Sequence, residues 1–340
     1  MMEKTNFQSK NQAFNLPAGT RWVGKWNKNP YKMIKTLGRG ATGVVYLVET
    51  RSGQRAVKIG ENKMSLTSEI NVLRHFSKVQ GNVLGPSLLD VDDVEIKGEI
   101  YPFFCMEYLH GESLLDFAKK RGTEWVPVFM VQLLGDLDRL HQEGWAFGDL
   151  KPENLIITGP PSRVRWFDVG GTTKLGRAVK EYTEFYDRGY WGLGDRKAEP
   201  SYDLFSTAMI FIQTAYPRRF KKPTDANADN LDLLRRYIVN SPPLLPYKKI
   251  LLHALKGKYT DAQVMKKELM EAIENRTSPK KGAEKSSKSV QDVKSKRQKR
   301  KTNNKKYKQK EKSLSFRVEL ILTASFLFLS SVLYFMGQWM

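Results

Sequence analysis

Hydrophobic and polar residues keep two different rhythms in this chain. From about Asn27 to Met106 they alternate in short runs, as in Val44 to Glu49 and Arg55 to Ile59, with glycines between the runs. Alternation with a period of two predicts half-buried strands joined by tight turns. Beyond Leu114 the apolar positions recur at helical spacing, which predicts a helix-rich region to about Asn275. The expected fold class is α+β. It comprises two lobes over residues 27–275, a β-rich N-lobe to about residue 106 and an α-helical C-lobe, with no internal repeat.

Both rhythms stop after Asn275. Residues 276–315 are mostly Lys, Arg, Ser, Asn and Gln with one aromatic, Tyr307, and hold too few apolar side chains to offset the entropy of ordering. A disordered tether is expected over 276–317. Leu320 to Trp339 is then a mostly apolar stretch of 20 residues, broken only by Thr323, Ser325, Ser330, Ser331, Gly337 and Gln338. At about 1.5 Å per helical residue it spans the ~30 Å hydrocarbon layer. We expect a single transmembrane helix over 318–340. The positive-inside rule then puts the tether and everything before it in the cytoplasm, on a single-pass protein of the cell membrane. The N-terminal extension, residues 1–26, is polar with scattered Phe and Trp and has no apolar h-region, so no secretory signal is expected.

Charge sharpens this division. The 340 residues hold 57 Lys and Arg against 36 Asp and Glu, a net +21, and residues 276–317 alone contribute 17 basic and 3 acidic side chains. Dense cations without fixed structure neutralise phosphates and bind DNA with little sequence preference. Beside a membrane the same residues hold anionic headgroups, or serve only as a topology signal. The spread of the tract over some forty residues, with Asn, Gln and Tyr interleaved, ranks DNA first, lipid second and spacer third. The candidate DNA contacts are Lys294, Lys296, Arg297, Lys299, Arg300, Lys301, Lys305, Lys306, Lys308 and Lys310. The single cysteine, Cys105, excludes an intramolecular disulfide and a Cys-based zinc site, and its apolar run suggests a buried strand thiol.

The candidate chemistry lies in the two lobes. Leu37 to Val45 reads LGRGATGVV and sets Gly38, Gly40 and Gly43 in GxGxxGxV spacing between two strand-like runs. Such a hairpin lets backbone amides approach a polyphosphate where side chains would clash, although three glycines also make an ordinary turn. Twenty positions after Gly38 stands Lys58, in an apolar strand where a buried ammonium needs anionic partners. Glu69, in the helical pattern SEINVLRHF, is a candidate partner able to reach back to it. HQEGWAFGDLKPENL, from His141 to Leu155, and WFDVGG, from Trp166 to Gly171, then place Asp149, Lys151, Asn154 and Asp168 within 20 residues. Phosphoryl transfer needs one acceptor for the attacking hydroxyl, oxygen ligands for magnesium and cations over the moving group, and this set supplies them.

On these motifs, residues Gly38 to Phe205 resemble the catalytic core of the eukaryotic-like (Hanks-type) Ser/Thr protein kinases. The resemblance implies ATP with Mg2+ or Mn2+ and protein substrates. Asp149 would accept the substrate hydroxyl proton, Lys151 would neutralise the γ-phosphate, and Asn154 and Asp168 would bind the metal. Lys58 would hold the α- and β-phosphates and pair with Glu69. Met106, Glu107, Tyr108 and Leu109 resemble the hinge that bonds adenine through its backbone, with Val45 and Ala56 enclosing the ring.

Departures accompany the matches. Phe147-Gly148 stands where the family has His-Arg, so no arginine of that motif can receive an activation-loop phosphate, and Phe147 would fill an apolar spine position beside Val169. No Ala-Pro-Glu closes the activation segment, where Thr183 to Gly192 reads TEFYDRGYWG. Thr183 and Tyr186 still resemble the substrate-docking pair, and Asp203 resembles the helix aspartate that braces the catalytic loop. The interval from Lys58 to Glu69 is 11 positions, short for the family, with Glu61 as a weaker alternative. Thr172, Thr173 and Thr183 are candidate autophosphorylation sites by position. Two other readings are a pseudokinase scaffold and, because Gly148-Asp149 is similar to the loop of aminoglycoside and choline kinases, a small-molecule kinase. Lys151-Pro152-Glu153 favours the protein-kinase branch. The whole arrangement of core, basic tether and terminal helix resembles the YabT-type membrane-anchored kinases of spore-forming bacilli. That resemblance implies DNA-responsive activity, a sporulation or DNA-maintenance setting, and self-association for phosphorylation in trans.

Overall fold

Alternation along the first hundred residues becomes a single antiparallel sheet in the computed structural model, which describes residues 15–277 except 41, 79–83, 217 and 224–228. Its strands are β1 (Arg21–Val23), β2 (Pro30–Gly40), β3 (Gly43–Thr50), β4 (Gly53–Ile59), β5 (Leu88–Ile96) and β6 (Glu99–Glu107), in the order β1-β2-β3-β4-β6-β5. Successive side chains take opposite faces. Val57, Ile59, Phe103 and Cys105 join Val44, Tyr46 and Val48 in one core, while Ala56, Phe104 and Met106 face a second. Lys58 shares the parity of Ala56 and stands opposite Phe104 in the ladder, so the pleat turns it toward the second core. Cys105 is buried as expected, and desolvation pushes its thiol up to about 12, which keeps it inert.

Helix α1 (Lys63–Phe76) follows β4 and begins where Asn62 Oδ1 accepts from the amides of Met64 and Ser65 at 2.9 and 3.0 Å. Its buried stripe, Leu66, Ile70, Leu73 and Phe76, packs into the second core, and Glu69 is carried on the same buried side. That core continues into the C-lobe, whose elements are β7 (Glu112–Ser113), α2 (Leu114–Arg121), α3 (Val126–Gln142), β8 (Trp145–Ala146), β9 (Leu155–Thr158), β10 (Arg163–Trp166), β11 (Thr173–Lys174), α4 (Pro200–Thr214), α5 (Asn230–Val239), α6 (Lys248–Leu255) and α7 (Ala262–Thr277). Helix α4 is buried continuously from Ser201 to Gln213, with its buried Asp203, Ser206 and Thr207 all hydrogen-bonded, and α3 packs between it and α7.

Two small antiparallel pairings position the chemistry. β9 pairs with β10, and β8 pairs with β11 through Ala146 and Thr173. The segment 147–154 is therefore pinned at both ends, as is the segment 167–172. Helix α7 ends at Thr277, two residues beyond the boundary read from composition. The ten candidate DNA contacts and the expected span over 318–340 lie outside the described residues; among the described residues no helix is long and apolar enough to cross a membrane.

Candidate active site

A cleft of about 560 Å³ is lined by every residue assigned from sequence to nucleotide, metal or proton handling: Gly38, Gly40, Gly43, Val45, Ala56, Lys58, Glu69, Met106, Glu107, Leu109, Asp149, Lys151, Asn154 and Asp168. The three glycines differ in what they permit. At Gly43, φ is +150° and a Cβ would lie 2.2 Å from the Ile59 carbonyl oxygen, so this glycine lets β3 close onto β4. Nothing lies within 4 Å of where a Cβ would stand at Gly38 or Gly40, so the hairpin leaves room for a ligand to meet its backbone. That space, above a lysine and beside an apolar slot formed by Val45, Ala56 and Met106, fits a nucleoside triphosphate.

The short interval between Lys58 and Glu69 is resolved by only three residues separating the end of β4 from the start of α1. Lys58 Nζ lies 2.7 Å from both Glu69 carboxylate oxygens, with both residues buried. Glu61, the weaker alternative, precedes the helix and is exposed. Burial raises the Glu69 carboxyl above its ordinary value, the Lys58 ammonium opposes that shift, and the nearby Asp168 adds to it.

The catalytic loop hangs from one buried carboxylate. Asp203 on α4 accepts from the Phe147 amide to Oδ2 at 2.7 Å and the Gly148 amide to Oδ1 at 2.9 Å, and His141 Nε2 lies 2.9 Å from Oδ2. Gly148 sits at φ +84°, where a Cβ would come within 2.6 Å of the Gly171 carbonyl oxygen. An arginine at this position would clash with that backbone. Phe147 is buried against Trp166, ring centres 5.2 Å apart, in the core that also holds Val169. The aromatic substitution is accommodated as packing.

Asp149 is buried and both its oxygens are engaged. Thr183 Oγ1 donates to Oδ1 at 2.8 Å, Lys151 pairs with Oδ2, and Lys151 Nζ also reaches Thr183 Oγ1 at 3.1 Å. Asn154 Nδ2 donates to the Asp149 carbonyl at 3.0 Å, so its amide oxygen, opposite the bonded nitrogen, stays an acceptor. Asp168 is exposed to the cleft and accepts from the Gly170 amide at 3.0 Å. Among the described residues no group of three or more His, Cys, Asp or Glu encloses a metal. One carboxylate and one amide oxygen suit Mg2+, which takes few protein ligands and completes its shell with phosphate oxygens and water.

The activation segment separates the three candidate threonines. Thr172 and Thr173 are fully buried; the pairing of β11 with β8 sets Thr173 opposite Ala146, and Thr173 Oγ1 donates to the Gly171 carbonyl at 2.8 Å. Neither hydroxyl is accessible in this arrangement. Thr183 is instead tied to Asp149 and Lys151, in keeping with a docking role. Sequence reasoning missed three features here. Glu181 lines the cleft, and burial together with the charges of Asp168 and Glu69 pushes its carboxyl up. Lys180 Nζ ties the segment to α1, reaching Ser68 Oγ at 3.1 Å and the Thr172 carbonyl at 3.2 Å. In place of an Ala-Pro-Glu closure, Arg188 binds Asp195, Glu199 and Ser201, while buried Asp187 accepts from Tyr202 Oη, Arg196 Nε and the amides of Gly189 and Tyr190. Their spacing matches no motif, and only the fold joins them.

Comparison with known proteins gives the family. A protein kinase domain model matches residues 31–281. Over 262 residues the chain is 53% identical to serine/threonine-protein kinase YabT of Bacillus subtilis (strain 168), covering 76% of each protein. A shorter match, 27% identical over 142 residues, is to the probable serine/threonine-protein kinase CPE1738 of Clostridium perfringens, covering 40% of this chain and 21% of that protein. Among solved structures, vaccinia related kinase 3 has a similar fold, with a TM-score of 0.57 at 16% identity over 81% of this chain and 96% of that one. The chain therefore belongs to the protein kinase family, as a bacterial Hanks-type Ser/Thr protein kinase that uses ATP with Mg2+ or Mn2+.

Proposed function

We propose that Asp149, Lys151, Asn154, Asp168, Lys58 and Glu69 carry phosphoryl transfer in this kinase, and that the enzyme is membrane-anchored and stimulated by DNA. The observation that supports the catalytic assignment is convergence: the Lys58–Glu69 pair from the N-lobe and the Asp149–Lys151 pair from the C-lobe open onto one cleft. Asp149, held by Thr183 and Lys151, orients the acceptor hydroxyl and takes its proton. Lys151 offsets charge on the transferring group, and Lys58, fixed by Glu69, holds the phosphates behind it. Asp168 and Asn154 would hold magnesium, which would supply neutralising charge at the phosphate oxygens. The chain's own part is positioning, and both lobes contribute.

For the regulatory half of the proposal the support is compositional. Residues 276–317 hold 17 cations against 3 acidic side chains, immediately before the apolar stretch Leu320 to Trp339. If the ten cations between Lys294 and Lys310 all engage phosphates, log K falls against log salt with a slope of about −9. Kinases gathered on one DNA molecule phosphorylate one another at raised effective concentration.

The test uses the full chain in neutral-lipid nanodiscs with ATP and magnesium, with and without DNA, between about 50 and 200 mM salt. Phosphate transfer by the wild type and none by Asp149→Asn is the expected result for the site. Transfer retained in that variant, or ATP bound without transfer by the wild type, would overturn it, the second outcome favouring a scaffold. Stimulation that fades with salt and disappears when the Lys294 to Lys312 cations are replaced by Gln supports the DNA reading. Stimulation by anionic vesicles but not DNA assigns the tether to lipid.

A further inference from the structure

Four cations crowd five positions on the loop after α4: Arg218, Arg219, Lys221 and Lys222, around Phe220. The loop is fastened to the docking segment by Arg219, Phe220 and Lys222. The Arg219 guanidinium lies 4.9 Å from the Tyr186 ring centre, and its Nε donates to Tyr186 Oη at 3.2 Å. Phe220 packs on Phe185, ring centres 5.0 Å apart, and Lys222 Nζ donates to the Tyr190 carbonyl at 2.6 Å. Arg218 and Lys221 are left exposed, with no side-chain partner among the described residues.

This fastening sets the loop beside the reacting centre. Tyr186 N donates to the carbonyl of Thr183, whose hydroxyl bonds Asp149. On the other side Arg219 Nη2 pairs with Glu153, four residues after Asp149. Of the two carboxylates on the catalytic loop, Asp149 is held by Thr183 and Lys151, and Glu153 is engaged by this chain's own arginine rather than left open to a basic substrate residue. The pair is half-exposed on both sides, so it is weak enough for a stronger anion to compete for the guanidinium.

We propose that this loop makes the kinase select acceptor hydroxyls flanked by anionic residues, either carboxylates or phosphates. The inference rests on the kinase reading of the site given above. The forked guanidinium of Arg219 binds a carboxylate or phosphate bidentately, and Arg218 and Lys221 supply further cations that draw such a chain in. A substrate lysine or arginine meets the same cations and is repelled, with Glu153 occupied.

The full chain in neutral-lipid nanodiscs is assayed on four peptides that share one acceptor serine and differ in a single flanking residue: Glu, phosphoserine, Gln or Lys. The expected kcat/KM is about tenfold higher for the Glu and phosphoserine peptides than for Gln, with Lys lowest. Between the two anions, a larger gain for phosphoserine identifies primed substrates as the preferred source, and equal gains identify acidic sequences. Charge reversal at the exposed pair, Arg218→Glu with Lys221→Glu, is expected to invert the order of the Glu and Lys peptides. Arg219→Ala releases Glu153 and is expected to raise kcat/KM for the Lys peptide. Equal kcat/KM for all four peptides, or a preference for Lys in the wild type, overturns the inference while leaving the kinase assignment intact. Failure to phosphorylate any peptide, with no autophosphorylation, overturns the kinase reading and this inference with it.

Discussion

Replacing Asp203 by Asn tests how the catalytic loop is held. The carboxylate is fully buried and receives three donors, two of them the backbone amides of Phe147 and Gly148. Asparagine has one acceptor oxygen. With that oxygen placed to keep Phe147 and His141, its NH2 faces the Gly148 amide and leaves that donor buried and unpaired. An unpaired buried donor costs about 1–3 kcal/mol, and bonds to a charged acceptor contribute more than bonds to a neutral one, so a loss of about 3 kcal/mol is expected. At about 2–4 °C per kcal/mol for a domain of this size, melting falls by about 6–12 °C. The functional effect is more specific. Asp149 stands one residue beyond Gly148, and misplacing a reacting group by about 1 Å lowers turnover by up to about a hundredfold. The assay is kcat and KM for ATP well below the melting temperature. We expect kcat to fall by at least about tenfold, with KM for ATP within about twofold, because Lys58, Glu69 and the hinge are untouched. A folded Asp203→Asn protein with wild-type kcat, or one altered only in KM, refutes the reasoning.

Three further outcomes follow from the same geometry. Gly148→Ala places a Cβ 2.6 Å from the Gly171 carbonyl at φ +84° and is expected to lower kcat and stability together, with a loss of about 1–3 kcal/mol in a denaturant titration. Glu69 binds its proton more tightly in the folded than in the unfolded state, so its own contribution to stability falls as pH rises from the ordinary glutamate value through the raised one. Its pairing with Lys58 requires the carboxylate, so acidification raises KM for ATP sooner than an ordinary glutamate would allow; in Glu69→Gln that limb of the pH profile is absent and KM is high throughout. Lys180→Met severs the tie between the activation segment and α1 and is expected to lower kcat about three- to tenfold, with hydrogen exchange rising at residues 172–183 and in the first turns of α1.

Much of the site was legible because its chemistry is local in sequence. The interval from Asp149 to Asn154 spans one loop, and the glycine hairpin spans one turn, so the motifs are visible in the sequence, and their joint resemblance to the protein kinases supplies the roles. Strand parity, read in the structure, puts Lys58 and Ala56 on one face of β4. Legibility ended where partners are distant in the chain. The Lys58–Glu69 pair was uncertain because its interval depends on where α1 begins, which the Asn62 cap decides. Glu153 and Arg219 lie 66 residues apart and meet only through the fold. Thr172 and Thr173 look like loop hydroxyls in sequence, yet both are buried, Thr173 within the short pairing of β11 with β8 and Thr172 just before it. Glu181 and Lys180 carry no motif at all, and their positions follow from the path of the activation segment across the cleft.

The departures from the family pattern are coherent once the contacts are traced. Gly148 removes the arginine that would receive a phosphate, and its backbone at φ +84°, packed against Gly171, leaves no room to restore one. A segment without that clamp needs other ties, and this one has them at both ends. Lys180 joins its first half to α1 beside Glu69, with a cation on the protein where the phosphate clamp would use an added anion. Arg188 and Asp187 fasten its second half to the start of α4, with Arg188 buried and its charge offset by Glu199 and Asp195. Asp187 is itself fully buried and receives four donors, so these bonds hold in a protected setting where removal of any one partner is costly. The segment is thus ordered by residues present in the unmodified chain. Basal turnover is accordingly expected from protein free of phosphate: phosphatase-treated enzyme should begin phosphorylating a peptide without a lag, and a lag that shortens with enzyme concentration would show that the clamp function has been retained by other means.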